Sequence, residues 1–519
     1  MINIKELYEK AHGLYEAKKF DEALDIVEEL KRIDPKFKAT YLLEILLLDE
    51  MNHRVKLIAA IEKILPHIKI SDPKGRETAA DLFDTLGHAQ QELAMPEAAL
   101  KNIKFAAQLT SKNDWTQHRW GAAIFCSNHV ENFSVEDSRI LYASLKKCFA
   151  DITPFPQKFY AHKKIRVGFL SADFILHVAM VWSWALLIGL NKNYFETYLY
   201  SAGKKSDVIT GYLRDNADGW RDISDLTDKQ AAQMIRDDEI DILFDLSGYT
   251  KNSRIEIAVY RPATVQISGI GYMNSTGLDA MDYFLTDEYC AGNPDYFTEK
   301  FLIMPNSHIC YVPTTDLAPA AEPPCVKNGY VTFGTFNKFS KITDSILRAW
   351  KKILDGVPNS RLLLKNKMLE TEDEKNFVRE RLKNFGFDLA RVELRPFSKD
   401  HLPEYADMDI ALDTFPYTGG VTTCEALYMG VPVVSLYGDR HGTRFGLSIL
   451  ANVGLGGLVA DSYDAYVKIA VELAADKDSL VVMRKELRGM VKNSPLMDAK
   501  NYIRDMETAF VKILDAARK

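Results

Sequence analysis

The sequence predicts an α/β protein in which two doubly wound domains follow an all-helical repeat domain. Residues 1–155 are poor in glycine and proline, and their apolar side chains recur every three or four positions, as in amphipathic helices. From residue 164 onward, short β-rich runs alternate with helical stretches, and this series occurs twice. The composition, 47% hydrophobic and 26% charged, is that of an average globular protein.

Four segments follow from these changes in pattern. They are a helical tetratricopeptide-like repeat domain at 1–155, an N-terminal Rossmann-like domain at 164–312, a C-terminal Rossmann-like domain at 325–497, and a helix at 498–519 that crosses back to the first Rossmann-like domain. Within the repeat domain, 83–111 fits a 34-residue helix pair well, 7–35 fits it loosely, and 39–65 is a degenerate pair. Three units favour a cap on the next domain, and a peptide-binding groove is the alternative.

The two βα series consist of short apolar runs that read as buried parallel strands. The first series is predicted at 165–171, 195–201, 241–246, 265–270, 282–286 and 301–304. The second is predicted at 331–336, 361–365, 392–395, 410–412 and 433–436. In such folds, ligands bind outside the carboxyl ends of the strands, so the polar residues that follow each strand are the candidates for function.

Charge and cysteine content exclude several classes of protein. The net charge of −7 argues against a general nucleic-acid binder. Six cysteines without a CxxC pair indicate free thiols in a reducing compartment. The most apolar run, 178–190, is too short to span a bilayer, and the charged start is unlike a signal peptide. We therefore expect a cytoplasmic protein without a membrane span.

The first candidate is His177, in the turn after the first strand. A histidine at this position can donate to a phosphate or a sugar hydroxyl, or act as a base. The alternative is a histidine that only caps the following helix.

The second candidate is the turn after the first strand of the second series, which contains Asn337, Lys338 and Lys341. Two cations and an amide precede a predicted helix whose N-terminus adds partial positive charge, so a diphosphate could bind here. A solvated basic turn is the alternative.

A third group follows the strand at 410–412. Its loop and helix supply Gly420, which permits close backbone approach, and the hydroxyls of Thr422 and Thr423, which suit a phosphate at a helix start. Glu425, one turn into the helix, could accept from a ribose diol. His401 lies before this strand and could face the same ligand.

Several catalytic signatures are absent from the sequence. No GxGxxG follows the first strand, and there is no P-loop, GxSxG or HExxH. Asp407 and Asp409 form a DxD, but it enters a buried strand and reads as structural. No metal or other cofactor is expected, so Lys341, a helix dipole and hydroxyls would have to neutralise a leaving diphosphate.

The order of these motifs resembles the protein O-GlcNAc transferase/SPINDLY family, glycosyltransferase family 41. The resemblance covers nearly everything from residue 164 to the C-terminus. The matching segments are 166–177 (RVGFLSADFILH), 246–254 (LSGYTKNSR), 261–277 (RPATVQISGIGYMNSTG), 281–287 (MDYFLTD), 336–341 (FNKFSK), 357–364 (VPNSRLLL) and 412–423 (LDTFPYTGGVTT).

The resemblance implies a GT-B fold and metal-independent, inverting transfer of a sugar, GlcNAc from UDP-GlcNAc, to Ser or Thr of a protein. It implies that Lys341 stabilises the departing diphosphate and that His177 is the active-site histidine. It implies uridine and diphosphate contacts at His401, Thr422 and Thr423, and a sugar or acceptor contact at Tyr272. Together with the residues considered above, the predicted nucleotide-sugar contacts are Asn337, Lys338, His401, Gly420, Thr422, Thr423 and Glu425. The predicted sugar or acceptor contacts are Tyr249, Gly271 and Tyr272.

Departures from the family pattern leave alternatives open. Val421 stands where the family often has His, Ile175 and Leu176 replace Gly-Asn, and Ala179 replaces a small polar residue. UDP-glucose or GDP-fucose as donor, and Asn as acceptor, are the alternatives within the fold. A catalytically inactive repeat scaffold is the alternative of another class. The short repeat arm suggests a bacterial-type enzyme that modifies few proteins, such as a surface or flagellar protein.

Overall fold

A computed structural model describes residues 3–110 and 113–519; residues 1–2 and 111–112 of the predicted repeat domain lie outside this description. The chain divides into two compact units. The first comprises Met1–Val130, Lys338–Thr343 and Leu364–Ser398, and the second comprises Glu131–Asn337, Asp344–Leu363 and Lys399–Lys519.

Seven helices form most of the first unit: α1 (Ile4–Glu16), α2 (Phe20–Ile33), α3 (Lys38–Glu50), α4 (Arg54–Ile64), α5 (Pro73–Glu92), α6 (Pro96–Leu109) and α7 (Asn113–Ser127). Small residues let successive helices approach closely. A Cβ atom on Gly87 of α5 would lie 2.5 Å from Ile103 Cγ1 of α6. Ala23 and Ala99 are fully buried. The predicted pairs at 7–35, 39–65 and 83–111 each coincide with two neighbouring helices.

Within residues 113–519 the structure has twelve further α-helices: α8 (Val135–Lys147), α9 (Met180–Gly189), α10 (Val208–Asn216), α11 (Asp228–Asp237), α12 (Pro324–Asn328), α13 (Asp344–Gly356), α14 (Glu372–Asn384), α15 (Val421–Tyr428), α16 (Phe445–Asn452), α17 (Tyr463–Ala475), α18 (Lys477–Lys492) and α19 (Ala499–Ala517). The strands are β1 (Ile165–Ser171), β2 (Phe195–Ser201), β3 (Gly219–Asp222), β4 (Ile242–Asp245), β5 (Val265–Ser268), β6 (Tyr283–Asp287), β7 (Lys300–Met304), β8 (Thr332–Thr335), β9 (Arg361–Lys365), β10 (Val392–Arg395), β11 (Ile410–Leu412), β12 (Val433–Leu436) and β13 (Val459–Ala460).

The strands form two sheets. The first has seven strands in the order β3-β2-β1-β4-β5-β6-β7, and the second has six in the order β10-β9-β8-β11-β12-β13. Pairing is parallel, with Val167 of β1 opposite Ile242 of β4 and Ala411 of β11 opposite Val433 of β12. The strand order reverses beside β1 in the first sheet and beside β8 in the second. Each reversal opens a crevice at the carboxyl ends of the strands, where a ligand can bind.

All eleven predicted strands are present, and two short ones escaped prediction. β3 has four residues and is largely half-exposed, while β13 has only two residues. Neither run is long or apolar enough to stand out from its flanks, because an edge strand has less apolar surface to bury.

Helix α8 belongs to the second unit, although the sequence pattern groups it with the repeats. Tyr142 on α8 donates a hydrogen bond to the carbonyl of Tyr296 (3.1 Å), and Lys146 pairs with Asp279 (2.5 Å). These partners lie well over a hundred residues away along the chain. The helical pattern therefore continues past the point at which the packing changes.

The final helix packs on the first sheet of the second unit. Phe510 of α19 contacts Phe195 of β2 and Phe244 of β4, with ring centroids 6.3 and 6.4 Å apart. Glu507 accepts a hydrogen bond from the amide of Asn191 (2.6 Å). The last helix thus contributes to the core beneath β1.

Across residues 3–110 and 113–519, no helix combines the length and the apolar character that crossing a membrane requires.

Candidate functional site

The second-sheet crevice begins at Asn337, just beyond β8. Its side-chain carbonyl accepts a hydrogen bond from Thr422 Oγ1 (2.9 Å), and its amide nitrogen donates to Asp413 Oδ1 (3.4 Å). Asn337 and Asp413 are buried, and Thr422 is half-buried in the first turn of α15. The polar ends of β8, β11 and α15 are therefore joined directly.

Asp413 is the hub of this network. Its Oδ1, which Asn337 also contacts, accepts a hydrogen bond from the backbone amide of Gly419 (2.7 Å). Its other oxygen, Oδ2, accepts a hydrogen bond from Ser435 Oγ (2.6 Å). No role for Asp413 was predicted from the sequence. A carboxylate directly after a buried strand and before a glycine pair was the available clue.

The loop before α15 requires a glycine at 419. A Cβ atom there would lie 2.5 Å from Thr423 Oγ1, 2.9 Å from Thr422 Oγ1 and 3.0 Å from Asp413 Oδ1. Contacts of that length are repulsive, so the backbone can approach these oxygens only without a side chain. The first amides of α15 and the two threonine hydroxyls thus lie together, as an anion site at a helix start requires.

His401 and Glu425 pair beside Tyr405, which lines this crevice, while His401 itself lines a separate cavity with residues such as Thr314 and Lys399. His401 Nε2 lies 3.0 Å from Glu425 Oε2, and both side chains are partly exposed. Tyr405 supports them by donating to the carbonyl of Thr422 (3.2 Å). Its ring packs against Phe336 with centroids 4.5 Å apart. The crevice is lined by Thr335, Phe336, Asn337, Tyr405, Met408, Ala411, Leu412, Asp413, Thr422, Thr423, Ala426 and Val433.

The first-sheet crevice begins with His177, beyond β1. Its side chain is 43% exposed, and Nδ1 lies 3.7 Å from Asp173 Oδ2. The amide of Ala179 donates to the same nitrogen (3.3 Å), so in the neutral ring Nε2 carries the proton and faces away from the helix start. Burial raises the pKa of Asp173, and His177 opposes that rise.

Asp245, at the end of β4, shapes the neighbouring loop. It is fully buried and accepts from the amide of Gly248 (2.8 Å) and from Ser268 Oγ (3.0 Å). Burial raises its pKa to about 6, while these donors pull the pKa down. The sequence argument did not single out this residue.

Tyr249, Gly271 and Tyr272 form one packed cluster above β4 and β5. Gly248 has a φ of +52°, and a Cβ atom there would lie 2.2 Å from the ring of Tyr272. A Cβ atom on Gly271 would lie 2.0 Å from the carbonyl of Leu246. The rings of Tyr249 and Tyr272 meet edge to face at 5.7 Å. Tyr272 is only 1% exposed, whereas Tyr249 is half-buried.

The two crevices approach each other at Gly420. A Cβ atom on Gly420 would lie 3.5 Å from the indole of Trp182, which is on α9, the helix that follows His177. The loop before α15 and the helix after β1 therefore leave room for little more than one methyl group between them at this point.

Lys338 and Lys341 belong to the first unit, although they follow Asn337 directly along the chain. Lys341 is 9% exposed and Lys338 is exposed. Arg381 of α14 donates to the carbonyl of Ile342 (3.3 Å) and, through its other terminal nitrogen, to the carbonyl of Leu93 at the end of α5 (3.2 Å). The turn that carries Lys341 is therefore connected to the helical repeats.

The DxD does not present its second carboxylate to a ligand. Asp409 Oδ1 accepts from the amide of Cys325 (2.8 Å), and Oδ2 accepts from the amide of Thr332 (2.7 Å). Both oxygens therefore serve the packing of β8 and β11.

Comparison with known proteins gives a family match over most of the chain. Glycosyl transferase family 41 matches residues 139–314 and 323–506. A protein of Oryza sativa subsp. japonica named as a probable UDP-N-acetylglucosamine–peptide N-acetylglucosaminyltransferase SPINDLY is 38% identical over 374 residues, 70% of this chain and 40% of that protein. Its namesake in Arabidopsis thaliana is 39% identical over 358 residues, 67% of this chain and 39% of that protein. The chain thus spans about two fifths of the length of these relatives.

The fold has a close match among solved structures. A mutant of the Thermobaculum terrenum O-GlcNAc transferase superposes with a TM-score of 0.85 at 26% sequence identity, covering 100% of this chain and 99% of the other. The match extends over the helical repeats as well as both sheets.

Proposed function

The chain belongs to glycosyl transferase family 41 and has its GT-B fold, and we propose that it transfers a sugar from a nucleotide diphosphate sugar to Ser or Thr of a protein acceptor. The observation that carries this proposal is the network of Asn337, Asp413 and Thr422 at the strand reversal beside β8. It brings hydroxyls, an amide and a helix start to the place where an α/β sheet binds ligands.

The donor is proposed to bind with its diphosphate at the start of α15. Gly420, Thr422 and Thr423 would supply amides and hydroxyls to the phosphate oxygens. Asn337 would orient the Thr422 hydroxyl, and Lys338, the next residue after Asn337 in the chain, would add positive charge. His401 and Glu425, already paired, would contact the nucleoside, with Glu425 accepting from the ribose.

In the reaction, the acceptor hydroxyl attacks the anomeric carbon while the bond to the diphosphate oxygen breaks, which inverts the configuration. Lys341 would neutralise the negative charge that develops on the departing diphosphate. The acceptor proton would go to a base, and His177 is one candidate. Its ring would have to take the other neutral tautomer, with Nδ1 protonated toward Asp173 and Nε2 unprotonated, which gives up the bond from the Ala179 amide. Metal-free catalysis is part of this proposal.

The sugar-side loops take different roles in the proposal. Tyr249, which is half-buried, and the backbone of Gly271 would contact the sugar or the acceptor. Tyr272 is too deeply buried to contact a ligand directly without movement. We therefore propose that Tyr272 supports the ring of Tyr249.

GlcNAc from UDP-GlcNAc is the proposed donor sugar, because the named plant relatives are described as enzymes that use it. UDP-glucose and GDP-fucose are the alternative donors that the assay described below distinguishes from UDP-GlcNAc. A cytoplasmic location fits the six cysteines, which are all free thiols. The acceptor is proposed to be a protein of the same cell, such as a surface or flagellar protein.

The test is an assay of the full chain with UDP-GlcNAc and a lysate of the producing cell. We expect release of UDP together with a HexNAc mass increment on Ser or Thr peptides, and loss of both with Lys341→Ala. Transfer from GDP-fucose alone would show that the donor is GDP-fucose and not UDP-GlcNAc. A mass increment on Asn would show that the acceptor residue is Asn and not Ser or Thr. No transfer from any of these donors would contradict the function and favour a scaffold.

A further inference from the structure

Outside the donor crevice, three metal-ligating side chains meet in the core of the second unit. Cys290, His308 and His441 are buried, and their ligating atoms all lie within 4.8 Å of one another. We propose that this cluster binds one zinc-class divalent ion, held by Cys290 Sγ and a ring nitrogen of each histidine, with a water molecule completing the tetrahedral shell. One thiolate with two imidazoles is a donor set that suits zinc.

The spacing of the three atoms is close to that of a metal site. Since no two of them are more than 4.8 Å apart, some point lies within about 2.8 Å of all three. Zinc bonds are about 2.3 Å to sulfur and about 2.0 Å to nitrogen, so an ion would require a contraction of roughly half an ångström or slightly more. Rotation of buried side chains suffices for such a change.

His308 is oriented in the way that a metal-binding histidine usually is. Its Nδ1 lies 2.5 Å from Asp287 Oδ2, and the same oxygen accepts from Ser448 Oγ (2.6 Å). The carboxylate therefore holds the ring with Nε2 directed away from Asp287. A carboxylate–histidine pair of this kind sets the tautomer and raises the basicity of the ligating nitrogen.

His441 supplies the second, independent observation. Its side chain is 2% exposed, and within the described residues neither ring nitrogen makes a hydrogen bond of ordinary length and angle; the backbone of Met273 is a nearby polar group. The ring nitrogens of this buried side chain thus lack the well-formed hydrogen bonds that buried polar groups normally have.

Cys290 completes the set. Its Sγ lies 3.6 Å from the carbonyl of His441, to which the thiol donates. A divalent ion would replace the thiol proton, which would leave to solvent, and the Cys290 thiolate would then balance part of the ion's charge.

The location indicates a structural role. Cys290 follows β6 and His308 follows β7 in the first sheet, whereas His441 lies between β12 and α16 beside the second sheet. An ion here would link the two sheets of the second unit, and none of its three ligands is among the side chains that line the donor crevice. The sequence predicted no metal for this chain. The ion that we propose would stabilise the fold and would take no part in the transfer reaction.

The test uses the full chain, stripped of metal and titrated with Co²⁺ as a spectroscopic substitute for Zn²⁺. We expect uptake of one Co²⁺ per chain, with a thiolate charge-transfer band in the near ultraviolet and visible bands of a tetrahedral ion. Zn²⁺ should displace the Co²⁺ and raise the melting temperature. Cys290→Ser should abolish the charge-transfer band, and His441→Gln should weaken Co²⁺ binding by at least about tenfold, in line with the loss of one ligand.

The matched control is Cys310→Ser, which alters another buried cysteine outside the cluster and should retain the spectrum. If Cys290→Ser fails to fold, His308→Gln and His441→Gln give the same test. Absence of stoichiometric Co²⁺ uptake by the folded wild-type chain would overturn the proposal. So would a charge-transfer band that survives Cys290→Ser.

Discussion

Gly419→Ala is the substitution whose effect follows most directly from the geometry of the donor crevice. The added methyl group would lie 2.5 Å from Thr423 Oγ1 and 2.9 Å from Thr422 Oγ1. Since ordinary contacts are about 3.4 Å or longer, the loop or the threonines must move by roughly 0.5–1 Å. Overpacking of this kind costs about 1–3 kcal/mol of stability.

The functional effect should be larger than the loss of stability implies. The same displacement moves the hydroxyls and the first amides of α15 away from the diphosphate, and misplacement by about 1 Å can cost about a hundredfold. We expect the affinity for UDP, measured by titration calorimetry on folded protein, to fall about 10- to 100-fold. Sugar transfer should fall at least as much.

The matched control is Gly489→Ala, the same chemical change on α18. A Cβ atom there meets nothing within 4 Å, and the position is exposed and helical. Alanine is favoured over glycine in a helix by about 0.5–1 kcal/mol, so this variant should be as stable as wild type or more so. If Gly419→Ala binds UDP as tightly as Gly489→Ala does, the assignment of this loop to the diphosphate is wrong.

Three further substitutions test the other proposed roles. Lys341→Ala should lower turnover about 100- to 1,000-fold at unchanged folding, because a cation beside developing charge is lost; near-normal turnover in a steady-state assay would exclude the role. His177→Ala should lower turnover about a hundredfold or more if the ring moves a proton, whereas His12→Ala, on α1, should have no effect; equal rates would remove His177 from the site. Arg381→Ala should reduce kcat about tenfold while leaving the affinity for UDP unchanged, because it frees the Ile342 turn beside Lys341; an unchanged kcat would leave Arg381 only a structural role.

The positions of the strands were predictable because buried parallel strands are short apolar runs with clear limits. β1, β2 and β9–β12 begin and end where the pattern says they do. Once the strands are known, the parallel topology places their carboxyl ends at one edge of the sheet. Residues just beyond those ends, such as Asn337 and Thr422, could therefore be predicted as candidates for the site.

The remaining features depend on contacts between residues far apart in sequence. Asp413 joins several elements only because Asn337 and Ser435, 76 and 22 residues away along the chain, reach it in space. The depth at which Tyr272 is buried is set by Gly248, 24 residues earlier. Local periodicity carries no information about such partners, and the same holds for α8, whose helical pattern does not show which unit it joins.

Backbone hydrogen exchange with and without saturating UDP tests the central claim most directly. If the nucleotide binds at the carboxyl ends of β8 and β11, exchange should slow in peptides that cover 335–337 and 413–425, and a tenfold slowing corresponds to about 1.4 kcal/mol. Peptides from residues 3–110 should be unchanged. Absence of protection at 413–425 under conditions in which UDP binds would contradict the account.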